Sequence, residues 1–510
     1  MQQTIRKSGI VLLAFLFAAL MAFSAIPVHA ASFDTTLTVK GVEKGNTVTG
    51  YQIVKDDGNG NWVVANSNIK IKDPENPTAA ELNKIAGQVK DKDLNLTTAS
   101  FNYDEASGDY TATAPAAGSY LVLVTNGADA NYVYSPMLVS ADYNGDNKTE
   151  TLEKTTADAK KTQPGVDKVI TKKNGEDPAN NKGVTLAPGD TVDFKITPTI
   201  PNYGTEYYTN ATYTVADTLT NMTLSGDITV TGAEPTQDYT VNKGADDKSF
   251  TVTFKKDFLT NGNAKNVTIT YAATLDSSAA RGFGDNPNDV KVTYSNNPNP
   301  TDNTKTVEKQ THQYTFDIDG DINGKNSEQT KDIVKVGVDQ EGNTITTTTY
   351  GDVTTDKNPL QGAEFTLTSK DGKVTKTVTT DAKGLMKITG LDAGEYTLKE
   401  TKAPAGYKLD PTEVTVKISA TLNEDGTLDS YKITINGTNT NTYTATYDGG
   451  VKTVALANAN ADNKTSLFNN AKSNGLPATG GAGIFFYLIA GGALVALAVV
   501  LYTKNRKNQA

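Results

Sequence analysis

Apolar and polar residues alternate along most of the chain, as in Thr191-Val192-Asp193-Phe194-Lys195-Ile196 and Glu364-Phe365-Thr366-Leu367. A period of two sends successive side chains to opposite faces of a strand. Turn clusters such as Asp57-Gly58-Asn59-Gly60 and Asn261-Gly262-Asn263 interrupt these runs. Many short strands separated by such turns predict an all-β fold of tandem immunoglobulin-like β-sandwiches. Helical spacing is found at 79–89, where Leu82, Ile85 and Val89 fall near one face, so a helix on a sandwich edge is expected there. Two continuous apolar runs break the alternation, at 11–23 and at 484–502. The second is long enough to cross a bilayer as a helix, which takes about 20 apolar residues.

Composition narrows the chemistry. The chain has 510 residues, too many for one core, so several domains are expected. Its net charge is −10 and its basic residues form no patch, which argues against nucleic acid as a partner. It has no cysteine, so thiol catalysis, cysteine-held metal and disulfides are all excluded. Of its two histidines, His29 and His312, the second sits on a polar run and makes a weak centre for a catalytic triad. Asp142-x-Asn144-x-Asp146 and Asp319-x-Asp321-x-Asn323 approach calcium loops but lack a required glycine or glutamate, and read as polar turns. No cofactor and no metal site is expected.

The alternation sends certain polar residues inward. In Val166-Asp167-Lys168-Val169-Ile170, Lys168 shares a face with two apolar residues. Asp217 shares one with Tyr213, Val215 and Leu219, and Asn296 with Val290, Val292 and Tyr294. A lysine, an acid and an amide thus enter one apolar interior, and each is costly there unless paired. Further along, Lys335 lies in Ile333-Val334-Lys335-Val336, Glu400 alternates with Tyr396 and Leu398, and Asn470 shares a face with Phe468.

The two apolar runs have distinct settings. Arg6 and Lys7 precede the first, and Val28-His29-Ala30 follows it, which predicts an export signal over 1–30 cleaved between Ala30 and Ala31. The second is preceded by Leu476-Pro477-Ala478-Thr479-Gly480 and followed by Lys504, Arg506 and Lys507. The basic tail orients the helix with its C-terminus in the cytoplasm. This stretch, 476–510, resembles a Gram-positive LPxTG cell-wall sorting signal. The resemblance implies that a sortase cuts between Thr479 and Gly480 and passes the Thr479 carbonyl to an amine.

Between the signals, three sandwich domains are expected, at 31–162, 163–330 and 331–475. Tyr132-Val133-Tyr134-Ser135-Pro136-Met137 resembles the end of the first domain in Gram-positive shaft pilins, where the position of Met137 often holds the polymerising lysine. The connector Ala157-Asp158-Ala159-Lys160-Lys161-Thr162 offers Lys161, with Lys160 beside it, in its place. Leu391-Asp392-Ala393-Gly394-Glu395-Tyr396-Thr397-Leu398-Lys399-Glu400-Thr401 is similar to the collagen-adhesin B-type (Cna-B) repeat and to the pilin E-box, whose glutamate matches Glu400. The second domain resembles the Cna-A type. In a dry core burial lowers a lysine pKa and raises that of a carboxylic acid. A neutral amine can then attack an amide that the acid polarises, releasing ammonia. The resemblance implies Lys168–Asn296 and Lys335–Asn470 isopeptide crosslinks, promoted by Asp217 and Glu400, each formed once and without turnover.

The sequence therefore predicts the backbone subunit of a covalent surface pilus. Its expected partners are sortase, further copies of itself, minor or tip pilins, peptidoglycan and a host-surface or matrix ligand. The alternative is a wall-anchored adhesin with the same sandwiches, displayed singly. A wall-anchored enzyme is a third class, disfavoured by the lack of a credible catalytic site.

Overall fold

A computed structural model describes residues 35–473, apart from 60, 91–93, 126, 128–130, 145–149, 152–153, 205, 264, 299–303, 323–329, 344–347, 351–352, 356–357, 449–450 and 457–464, and also 493–499 and 501. The described chain is built from β-strands and divides into two compact units.

The first unit spans 1–184, 189–276 and 286–312. It opens with an eight-stranded sheet in which the first strand, Thr36–Lys40, pairs in parallel with Lys154–Asp158. The expected helix is Ala79–Lys90, and Ile85, Ala86 and Val89 are buried. Thr78 and Glu81 explain where it starts: the Thr78 N–H donates to Glu81 Oε2 (2.8 Å), and the Glu81 N–H donates back to Thr78 Oγ1 (3.3 Å). This reciprocal cap satisfies donors that a helix N-terminus leaves open.

Next in the same unit come a four-stranded and a six-stranded sheet. In the four-stranded sheet Thr191–Thr199 pairs with Gly165–Lys173 on one side and Thr268–Leu275 on the other. In the six-stranded sheet Tyr213–Leu219 pairs with Asn288–Ser295. Tyrosines join this sandwich to the segment 131–134 that follows the first sheet's central strands. The Tyr208 hydroxyl donates to the Tyr134 carbonyl (3.2 Å), and Tyr294 donates to the Asn131 carbonyl (3.1 Å). Gly87 is needed for the approach, because a Cβ there would lie 2.8 Å from the Glu206 carbonyl oxygen.

The second unit comprises 185–188, 277–285 and 313–510. Its seven-stranded sheet runs from Glu364–Ser369 and its neighbours to Val451–Leu456. A smaller sheet places Ile333–Val338 parallel to Ser466–Ala471. The domain boundary expected at 330 is corrected: Phe316–Ile318 pairs with Ile388–Leu391, so the chain joins this unit from residue 313. Strand pairing decides that boundary, and local alternation carries no trace of it.

Asp319 was expected in a polar turn and is instead fully buried. Its carboxylate accepts the N–H groups of Asp332 (2.7 Å), Ile333 (3.0 Å) and Met386 (2.9 Å). Asp332 in turn accepts from Thr330, Asn441 and Tyr443. These acids staple backbone, and among the described residues no cluster of three metal-ligating side chains is found.

Candidate functional site: two buried amine–acid–amide clusters

The first cluster bridges the two facing sheets of the second sandwich. Lys168 comes from Gly165–Lys173 and Asp217 from Tyr213–Leu219 of the opposite sheet. Both side chains are wholly buried, and Lys168 Nζ lies 2.5 Å from Asp217 Oδ2. The amide that meets them is Asn288. Lys168 Nζ donates to Asn288 Oδ1 at 2.6 Å. This corrects the expectation of Asn296, which is buried one residue past the other end of the strand Asn288–Ser295. The two asparagines share a strand face, but eight residues separate them, about 27 Å of strand at ~3.4 Å per residue. Alternation identifies a face and leaves the position along it open.

Sequence reasoning also missed Tyr271. Its hydroxyl donates to Asp217 Oδ1 (2.8 Å) and accepts from Asn288 Nδ2 (2.9 Å). Its ring stacks on Phe194 with centroids 5.2 Å apart and meets Phe250 edge-on at 4.8 Å. The aromatic wall keeps the site dry. Burial pushes the Lys168 ammonium pKa down and the Asp217 carboxyl pKa up, against their mutual attraction. Both directions favour the neutral pair, an uncharged amine beside a protonated acid. Burial also holds the Tyr271 phenol well above its ordinary value, so it stays protonated.

The second cluster repeats the chemistry in the second unit. Lys335 Nζ lies 3.3 Å from Glu400 Oε1, and both side chains are buried. Asn470 Nδ2 donates to the same Oε1 at 2.8 Å. The Asp410 N–H donates to Glu400 Oε2 (2.9 Å) and fixes the carboxyl's orientation. Burial lowers the Lys335 pKa, opposed by Glu400. Asn470 is buried while Asn469 is exposed, as the strand phase requires. In both clusters the acid faces the amide nitrogen, through Tyr271 in one and directly in the other. The Lys335 cluster also opens onto a cleft of about 640 Å³, lined by Phe365, Asp410, Phe468 and Asn469 among others.

On the connector, Lys161–Thr162 pairs antiparallel with Val133–Tyr134, Lys161 opposite Tyr134. The Ser135 N–H donates to the Lys160 carbonyl (2.9 Å). Both lysines are exposed, and Lys161 Nζ sits 4.1 Å from the centroid of the Tyr132 ring. Met137 is buried in the first core, which explains an apolar residue at that position. Residues 476–480 of the sorting motif and the Ala30–Ala31 cleavage site lie outside the described residues, as does most of the expected span 484–502. Residues 493–499 within that span are helical, with Leu494, Val495 and Leu497 exposed. No described helix is long and apolar enough to cross a membrane.

Comparison with known proteins fits this architecture. A T6 antigen Ig-like domain model matches residues 33–165, a SpaA prealbumin-like fold domain model matches 346–434, and an LPXTG cell wall anchor motif matches 469–509. The trypsin-resistant surface T6 protein of Streptococcus pyogenes serotype M6 is 27% identical over 420 residues, covering 75% of this chain and 72% of that one. The solved T6 backbone pilin of the same serotype superposes with a TM-score of 0.56 at 23% identity, over 86% of this chain and 99% of that one, a likeness of fold. The chain is thus a cell-wall-anchored surface protein of Gram-positive type, built from tandem sandwich modules. Its modules match the T6 antigen Ig-like and SpaA prealbumin-like domain models, and the LPXTG anchor motif follows them.

Proposed function

We propose that this chain is a pilin of the backbone kind, a structural subunit that is the repeating unit of a covalent fibre. Sortase cleaves after Thr479 and joins its carbonyl to Lys161, with Lys160 the neighbouring candidate, on the next subunit. Lys161 is favoured because its strand pairing and the Tyr132 ring hold its exposed amine in a defined place. The last subunit is transferred to peptidoglycan, and minor or tip pilins join the same polymer. Within each subunit, Lys168 forms an isopeptide bond with Asn288 and Lys335 forms one with Asn470, promoted by Asp217 and Glu400.

The observation that carries this reading is the recurrence of one buried amine–acid–amide set in two successive modules of a chain that has no cysteine. A fibre under load needs covalent reinforcement, and these sites supply it without disulfides. Burial supplies the neutral nucleophile, and packing makes the attack effectively unimolecular. A denaturing gel of material released from the wall tests the polymer: a boiled ladder of multimers supports it, and a single band shows a singly displayed protein.

A further inference from the structure

We propose that Tyr271 is the proton relay of the Lys168–Asn288 condensation, spanning the gap that the short side chain of Asp217 leaves to the departing nitrogen. The inference rests on the crosslink reading above.

The two clusters differ in the length of their acids. Glu400 reaches the amide nitrogen of Asn470 itself, at 2.8 Å. Asp217 is one methylene shorter, and the Tyr271 hydroxyl stands between it and Asn288 Nδ2, 2.8 Å from the acid and 2.9 Å from the nitrogen. The other oxygen of Asp217 lies against the amine. One carboxyl therefore touches the nucleophile with Oδ2 and, through a hydroxyl, the leaving group with Oδ1.

The protons balance across this chain. The lone pair of uncharged Lys168 Nζ bonds to the Asn288 side-chain carbonyl carbon, and that carbon's bond to Nδ2 breaks. Nζ gives one proton to Asp217 Oδ2. Nδ2 takes one from Tyr271 Oη and departs as ammonia, and Tyr271 recovers its proton from Asp217 Oδ1. The carboxyl ends with as many protons as it began with, and no external acid is needed in a sealed site. As Nδ2 becomes tetrahedral its lone pair turns into an acceptor, so the hydrogen bonds of the resting cluster, Nδ2 to Tyr271 and Tyr271 to Asp217, run in reverse at that moment. Burial keeps the phenol protonated until it is called on.

The test is a time course of ammonia loss from the full chain made by cell-free synthesis, read by intact mass and assigned by peptide mapping. Tyr271→Phe keeps the ring between Phe194 and Phe250 and removes the hydroxyl. The Lys168–Asn288 bond should then form about 100-fold more slowly, the low end of what general acid–base groups contribute. The Lys335–Asn470 bond in the same molecules should form at the wild-type rate. Adding Asp217→Glu to Tyr271→Phe should restore the slow bond, because the longer acid reaches Nδ2 directly. Tyr271→Phe forming the bond at the wild-type rate overturns the relay alone, as does a defect that Asp217→Glu leaves unchanged. Absence of the bond from wild type overturns the crosslink reading and the relay with it.

Discussion

Lys335 and Asn470 stand on strands that run side by side in the same direction, with Lys335 opposite Phe468 and Asn470 opposite Gly337. Tension that enters at one end of this pair and leaves at the other loads it in shear. A covalent bond between the two side chains would carry that load past the strand hydrogen bonds. It would also close a loop of 470 − 335 = 135 residues. In the chain-entropy model a crosslink over ~100 residues is worth about 4–5 kcal/mol. Asn470→Ala should therefore lower the unfolding temperature of the second unit by several degrees in calorimetry and abolish one ammonia loss.

Glu400→Ala should be worse than Asn470→Ala. Both prevent the bond, but the first also strands the Lys335 amine in a buried site without its acid. Leaving a buried polar group without its partner costs about 1–3 kcal/mol. Chemical denaturation of the two variants side by side checks the order.

In the second sandwich, Asn288→Ala should remove one ammonia loss from the intact mass, while Asn296→Ala leaves the mass deficit unchanged. The sequence made the face of this strand legible, together with Lys168, Asp217 and all three members of the Lys335 cluster, because alternation and burial are local properties. Asn288 and Tyr271 were hidden for a different reason. Which amide meets Lys168 depends on how two sheets face each other, and Tyr271 reads along the chain as one more apolar residue of Thr268–Leu275. The all-β class and the helix at Ala79–Lys90 follow from patterning, whereas the start of the second unit at residue 313 depends on a pairing with a strand some 70 residues away.

Alkaline pH should loosen the first unit. Burial pushes the Tyr134 phenol up to about 12, and its oxygen accepts the Glu43 N–H (3.2 Å). An unfolded tyrosine titrates near 10, so the folded state holds this proton more tightly. The stabilisation is whole below about pH 10 and is lost as pH rises toward about 12. Tyr134→Phe should flatten this part of a stability–pH curve followed by circular dichroism.

Lys161→Ala should stop polymerisation while leaving both internal bonds intact, because the connector strand Lys161–Thr162 contributes to neither cluster. Tyr132→Ala should slow polymerisation and Tyr132→Phe should not, since the aromatic face under the amine is retained. A multimer ladder from wall extracts of each variant reads the difference.

The most direct measurement is mass spectrometry of the branched peptide released by proteolysis of wall-extracted multimers. The expected branch joins the Thr479 carbonyl of one subunit to the ε-amine of Lys161 on the next. Finding Thr479 linked only to a peptidoglycan amine, with Lys160 and Lys161 both unmodified, would contradict the account.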